Sequence, residues 1–168
     1  MFSQKLILLS LYVVIFLILL CSPGLIFAET YTGDIYINST SGGNCILIGV
    51  WDDTTKTCTF TKDLLGPVTI GSAGITLDGA GHTISRDTQA SFFQRNGMTV
   101  NVSNIIIENI NVKDFTNCLV FSGGTKNNRV ENSNISQCYS YGIYLFASSG
   151  EHVFLNNNFS QNYLGIYT

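Results

Sequence analysis

The chain has 168 residues, a formal net charge of −3 and 11% charged residues, which suits one domain and hardly two. Sixteen glycines and a matching abundance of asparagine disfavour a bundle of long helices. The many Ile, Val, Phe and Tyr residues disfavour disorder, and the excess of acidic over basic residues disfavours a nucleic-acid partner.

Residues 1–28 have the composition of a secretory leader. Lys5 is followed by the apolar run 6–20, and Ala28 offers a place for cleavage. The alternative is an uncleaved membrane anchor, although fifteen helical residues span roughly 22 Å of a ~30 Å hydrocarbon core. Either way the remainder is exported, so we expect a secreted or cell-surface protein that contacts a membrane only through an uncleaved leader.

Cys45 and Cys58 lie in the segment GNCILIGVWDDTTKTCTF, where a polar turn at residues 52–56 separates two apolar stretches. This pattern is typical of a β-hairpin, and two cysteines facing each other across a hairpin reach disulfide geometry. A zinc site would need two more ligands nearby, and the segment offers none. We therefore predict a disulfide between Cys45 and Cys58, which fits an exported protein.

The C-terminal part of the chain repeats every 22–24 residues. The units IENINV at 107–112, VENSNI at 130–135 and FLNNNF at 154–159 share the pattern apolar-x-Asn-x-Asn-apolar. A leucine-rich repeat has a similar period, but its Leu-x-x-Leu-x-Leu ladder is absent. The period therefore predicts an all-β fold, a parallel β-helix with three short strands per coil.

Only about two residues separate the first two strands of each unit, so this corner needs a residue that tolerates positive φ. After glycine, asparagine is the best candidate. Asn109, Asn132 and Asn156 occupy the corner, and coils stacked about 4.8 Å apart would align them in a ladder. The same stacking predicts an interior formed by Ile107, Val130, Phe154, Val112, Ile135 and Phe159.

Cys118 and Cys138 are about three residues out of line when the coils are superposed by this repeat. At roughly 3.3 Å per extended residue they would lie some 10 Å apart, too far for a disulfide. We expect two buried thiols.

The segment ITLDGAGHTI at 75–84, the Asn-x-Asn-apolar-Ser-Gln units and the Gly-Ile-Tyr units at 142–144 and 165–167 resemble the right-handed parallel β-helix superfamily. More narrowly, they resemble its NosD-like or carbohydrate-binding and sugar-hydrolase repeats, which are pectin-lyase-like. The resemblance covers roughly residues 44–168. It implies the fold, but the superfamily holds lyases, hydrolases, epimerases and non-catalytic surface proteins.

Three segments are expected: a leader over 1–28, an N-terminal cap carrying the disulfide hairpin over 29–66, and coils over 67–168. The sequence stops directly after an apolar strand, and an open coil end exposes strand edges. We expect a fold truncated at its C-terminal end, or one covered there by a partner.

Glu108 and Glu131 are 23 residues apart and would stack on neighbouring coils, where one carboxyl group could acquire a raised pKa. Two solvated carboxylates are the simpler interpretation, and the polygalacturonase motifs are absent, so no catalytic residue is predicted. His82 and His152 fall on different coils, which predicts neither a metal site nor a cofactor.

Surface tyrosines are the most suggestive functional residues of the sequence. Exposed aromatic faces beside asparagine amides suit sugar rings, although ordinary aromatic stacking that supports the sheet is the simpler interpretation. The candidate glycan contacts are Tyr141, Tyr144, Tyr163 and Tyr167, and the candidate N-glycosylation acceptors are Asn38 and Asn101.

The sequence thus favours a non-catalytic, exported cell-surface module that binds polysaccharide or cell-envelope components through an Asn- and Tyr-rich face. The alternative is the N-terminal part of a polysaccharide lyase or glycoside hydrolase whose catalytic residues lie beyond residue 168.

Overall fold

The computed structural model describes residues 29–89, 96–147 and 150–168; the predicted leader, residues 1–28, lies outside them. In chain order the first elements are β1 (Thr30–Thr32), β2 (Ile35–Ile37), α1 (Cys45–Ile48), β3 (Gly49–Asp52), β4 (Thr57–Phe60), β5 (Asp63–Leu65), β6 (Val68–Ile70), β7 (Thr76–Asp78) and β8 (Thr83–Ser85). They are followed by β9 (Asn96–Val100), β10 (Ile106–Glu108), β11 (Asn111–Lys113), β12 (Asn117–Phe121), β13 (Arg129–Glu131), β14 (Asn134–Ser136), β15 (Tyr141–Leu145), β16 (Val153–Leu155), β17 (Asn158–Ser160) and β18 (Leu164–Tyr167).

The strands form three sheets that the chain visits in turn. Sheet A has the order β1-β5-β8-β11-β14-β17, sheet B β2-β6-β9-β12-β15-β18, and sheet C β3-β4-β7-β10-β13-β16. The neighbours pair in parallel, except that β3 and β4 form an antiparallel hairpin. Each circuit of the three sheets is one coil, which confirms the predicted all-β parallel β-helix.

The core is a set of apolar columns, each contributed by one strand position on successive coils. Ile107 pairs with Leu77 on one side and Val130 on the other, and all three are fully buried. Val112 and Ile135 form a second buried column. Each coil covers the core residues of its neighbour. The core positions on the last strands of sheets C and A, Phe154 and Phe159, are therefore only partly buried.

The corner between sheets C and A is as tight as the sequence predicts. Asn109, Asn132 and Asn156 adopt φ of 54°, 50° and 54°, and Ala80 and Gly81 take positive φ at the equivalent place. The other two corners also contain positive-φ residues, but their residue types are less uniform, so the sequence pattern does not predict them. They are Asp114, Gln137 and Gln161 between sheets A and B, and Asn104, Asn127 and Glu151 between sheets B and C.

The segment predicted as the N-terminal cap, residues 29–66, contributes strands to all three sheets. Strands β1 and β2 pair with β5 and β6, and β4 pairs with β7, so residues 30–60 form a first coil. The capping element is α1, whose Cys45 and Ile48 are fully buried at this end of the core.

The predicted disulfide between Cys45 and Cys58 is present, with a Cα–Cα distance of 5.9 Å. The hairpin itself is shorter than expected, because it comprises β3 and β4 alone. Cys45 lies in α1 rather than in a strand, so the disulfide fastens the helical cap to β4.

The prediction that Cys118 and Cys138 are free thiols is wrong. They form a disulfide with a Cα–Cα distance of 5.7 Å, and both are buried. The estimate of some 10 Å treated the intervening residues as extended. Asp114 and Gln137 take φ of 66° and 57° and turn the chain at the corner between sheets A and B. The two cysteines therefore meet inside the coil.

Large apolar side chains are exposed on the last coil and on the first. Those at the C-terminal end, on β16 and β18, are Val153, Leu155, Leu164, Ile166 and Tyr167, between 41% and 46% exposed, and Tyr163 just before β18 is 79% exposed. Within the described parts of the chain, no helix combines the length and apolar character needed to cross a bilayer.

Candidate functional site

Three of the four predicted glycan contacts meet on the outer surface of sheet B. Tyr144 pairs in register with Tyr167, and Tyr141 lies on the same strand as Tyr144. The rings of Tyr141 and Tyr167 are stacked with centroids 4.6 Å apart and planes 8° apart, and the Tyr144 ring lies 5.1 Å from that of Tyr141. Phe146 completes the group with an edge contact to Tyr144 at 5.6 Å. We call these four residues the aromatic cluster.

Tyr163 lies outside the aromatic cluster. It precedes β18, is 79% exposed, and makes no ring contact with the cluster among the described residues. Its side chain is exposed, as expected for a glycan contact, but its ring stands apart from the other three tyrosines.

Polar side chains continue the outer surface of sheet B beside the aromatic cluster. Asn117 pairs in register with Tyr141, and Asn96 pairs with Asn117 from the preceding coil. The Asn117 Nδ2 donates to the Asn96 Oδ1 at 2.9 Å, while the Asn117 Oδ1 has no partner within the described residues. A ligand lying along the coil axis would therefore meet tyrosine rings first and an amide pair next.

The asparagine ladder predicted from the repeat lies elsewhere, at the corner between sheets C and A. Asn156 Nδ2 lies 3.4 Å from Asn132 Oδ1, whereas Asn109 donates to the Asp78 carboxylate at 3.1 Å. Together with outward asparagines of sheet A, these side chains line an open groove of about 420 Å³. The expected single Asn- and Tyr-rich face is thus two separate surfaces: an amide groove and the aromatic cluster with its amides.

Another set of asparagines fastens one coil to the next through the backbone. Asn128 Oδ1 accepts from the Ile105 amide at 2.9 Å, and its Nδ2 donates to the Val102 carbonyl at 3.1 Å. Asn157 and Asn162 bind backbone groups of the preceding coil in the same way. The repeat pattern does not reveal these residues, because they fall outside the Asn-x-Asn pattern or at its variable position.

Carboxylates form a column on the outer surface of sheet C. Glu108 pairs in register with Asp78 on one coil and Glu131 on the next. Burial, followed by the charges of Asp78 and Glu131, raises the pKa of Glu108. The pKa of Glu131 is lowered chiefly by its hydrogen bond from Arg129, at 2.6 Å. Opposite pKa shifts of two neighbouring carboxyl groups are typical of an acid/base pair. Here, however, the carboxylate of Glu131 is already bound in an ion pair with Arg129.

The variant Glu108→Gln is expected to stabilise the protein at neutral pH, by about 0.5 kcal/mol or less, because it removes repulsion between like charges on paired strands. The pKa of Glu108 is raised by folding, so its contribution to stability is complete in acid and is lost as pH rises through the folded-state value. The advantage of Glu108→Gln should therefore shrink as pH falls towards 4. Thermal unfolding of both proteins across this pH range measures it, and an advantage that grows in acid would contradict the assignment.

The two histidines have different structural surroundings. His82 Nδ1 lies 3.1 Å from the Asp63 carboxylate, and the His152 ring lies 4.9 Å from that of Phe121. Burial lowers the pKa of His152. Within residues 29–89, 96–147 and 150–168, no three His, Cys, Asp or Glu side chains converge in a way that could hold a metal ion.

The two candidate glycosylation acceptors differ in accessibility. Asn101 is exposed and its Oδ1 accepts from the Ser122 hydroxyl at 2.6 Å. Asn38 is half-buried, and its Oδ1 accepts from the Thr40 amide at 3.0 Å.

Stacked coils of three parallel sheets, with positive-φ corners, define a parallel β-helix protein. Comparison with known families matches residues 33–168 to the family described as a right handed beta helix region. The chain therefore belongs to the right-handed β-helix family. Similar comparisons with curated proteins and with solved structures found no match.

Proposed function

We propose that this chain is a non-catalytic module of an exported surface protein, and that it binds polysaccharide through the aromatic cluster on sheet B. The observation that carries the proposal is the convergence of Tyr141, Tyr144 and Tyr167 on one surface. Tyrosine supplies an apolar ring with a polar hydroxyl, which matches the apolar faces and hydroxyl edges of a sugar.

The polar part of the site would be the amide pair. Asn117 and Asn96 lie in register with Tyr141, so their amides continue the cluster along the coil axis at strand spacing. An amide both donates and accepts hydrogen bonds, which suits the hydroxyl groups of a sugar. A linear polysaccharide aligned with the coil axis would use rings and amides together.

Export is the second part of the proposal. It is supported by the leader-like composition of residues 1–28 and by two disulfides, which persist in oxidising compartments. If the host glycosylates exported proteins, Asn101 would be the more accessible acceptor. The finer likeness to NosD-like and pectin-lyase-like repeats is compatible with a carbohydrate ligand and is part of the same proposal.

Replacing Tyr144 with alanine is expected to weaken binding about tenfold, because aromatic residues at the centre of an interface contribute most of its energy. An array of neutral and uronate-containing polysaccharides would identify a ligand, and titration calorimetry with its soluble fragments would measure the change. Tyr144→Phe retains the ring and should keep most of the affinity.

Tyr163→Ala is the matched control, since Tyr163 is 79% exposed but lies outside the cluster. Equal losses for Tyr163→Ala and Tyr144→Ala would contradict a site centred on the cluster. Absence of any binding at millimolar ligand would leave a purely structural role. New reducing or unsaturated ends on uronate polymers incubated with the chain would instead favour the alternative, an enzyme.

A further inference from the structure

The coil end nearest the leader exposes a group of large apolar side chains. In α1, Cys45 and Ile48 face the core, while Ile46 is 80% exposed and Leu47 is 39% exposed. Val50, on the outer side of β3, is 62% exposed. We call Ile46, Leu47 and Val50 the end patch. Three exposed aliphatic side chains within five residues are unusual for a surface turn and indicate a contact surface.

The end patch lies at the end where the leader joins the coil. Strands β1, β2 and β3 are the outermost strands of sheets A, B and C on this side, and α1 connects β2 to β3. Residue 29 immediately precedes β1. The leader is therefore joined to the chain at the same end as the patch.

The charges at this end do not provide attraction to an anionic surface. Lys56 is paired with Asp53 at 2.7 Å, and Lys62 is paired with Glu29 at 3.1 Å. Asp52 adds a further exposed carboxylate beside the hairpin. The partner should therefore be recognised through apolar contact rather than through phosphate charge.

We propose that the end patch rests on a lipid bilayer, with Ile46, Leu47 and Val50 in its interface, when the leader is retained as an anchor. The apolar run 6–20 is long enough to enter a bilayer, and the eight residues 21–28 reach at most about 29 Å. An anchor this close converts a weak apolar contact into an intramolecular one with high effective concentration. The coil would then stand on the membrane, and sheet B with its aromatic cluster would lie along its side.

Trp51, the single tryptophan of the chain, packs against the core on the side of β3 opposite to Val50, so the probe is the variant Trp51→Phe, Leu47→Trp, which moves the tryptophan into the end patch. The full chain is reconstituted into neutral phosphatidylcholine vesicles and into matched vesicles with brominated acyl chains. Interfacial residues lie about 5–10 Å into the headgroup boundary, so we expect at least about a twofold loss of tryptophan emission in the brominated vesicles. The double variant Ile46→Ser, Val50→Thr should remove most of this loss.

Val153→Thr is the control, because Val153 is also an exposed strand valine but lies at the opposite end of sheet C. It should leave the quenching unchanged. Quenching that is absent, or that the double variant does not reduce, overturns the proposal. A measured mass showing that the leader has been removed from the exported protein would also overturn it. A dimer that dissociates only in the double variant would show that the patch binds a second copy of the chain instead. These readouts are independent of whether the aromatic cluster binds a glycan.

Discussion

Replacing Phe115 with alanine is expected to lower the free energy of unfolding by about 3–5 kcal/mol, the largest effect of any single substitution considered. Phe115 is fully buried at the corner between sheets A and B. Its ring lies against Gly97 of the preceding coil, where an added Cβ would come within 2.6 Å of a ring carbon. The ring therefore fills the space left by a residue without a side chain, and neighbouring backbone cannot easily collapse into the cavity. Guanidinium unfolding followed by circular dichroism measures the loss.

Phe146→Ala is the control for this experiment, because Phe146 is 52% exposed on the outer surface. Its effect should stay within about 0.5 kcal/mol, as for surface substitutions in general. A Phe115→Ala variant as stable as Phe146→Ala would show that the ring does not lie inside the coil.

Removing the disulfide between Cys118 and Cys138 by a double alanine substitution is expected to cost about 3 kcal/mol, the scale of the chain-entropy model for a loop of this length. The two residues are separated by 20 positions and join the fourth coil to the fifth. Without the disulfide bond, this loop is no longer closed in the unfolded chain, so the conformational entropy of the unfolded state rises. The midpoint of guanidinium unfolding of the oxidised proteins reports the change.

The corresponding double substitution at Cys45 and Cys58 should cost somewhat less, because its loop spans 13 positions. A free-thiol titration of the unfolded, unreduced full chain gives a direct count. Four of the five cysteines are paired in the two disulfides, so one thiol should react. Three reactive thiols would contradict the second disulfide.

The fold could be predicted because its main determinant is local and repeated. The pattern apolar-x-Asn-x-Asn-apolar recurs at a period that suits three short strands per coil, and only a positive-φ residue can close a two-residue corner. Both constraints act within a few residues. Hence the columns containing Ile107 and Val112, and the corner containing Asn109, were predictable from the sequence.

The candidate site was predictable only in part. Tyr144 and Tyr167 occupy equivalent repeat positions, so their pairing in register on neighbouring strands follows from the period. Tyr141 belongs to the aromatic cluster and Tyr163 does not. Both outcomes depend on how the chain enters sheet B. That entry includes an irregular corner whose length the repeat does not specify. The amide neighbours of the cluster, Asn117 and Asn96, were missed for the same reason.

The sequence by itself determined the architecture, the stacking register of sheets A and C, and the disulfide of the N-terminal end, because each depends on periodicity or on a short separation along the chain. The tertiary structure alone decided the second disulfide, the first coil formed by residues 30–60, and the separation of the asparagine ladder from the tyrosines. The second disulfide and the position of the tyrosines depend on the conformation of the corner between sheets A and B, and the first coil depends on long-range strand pairing. The corners between sheets A and B vary in length and in residue type, so the repeat spacing does not specify where the side chains beyond them lie.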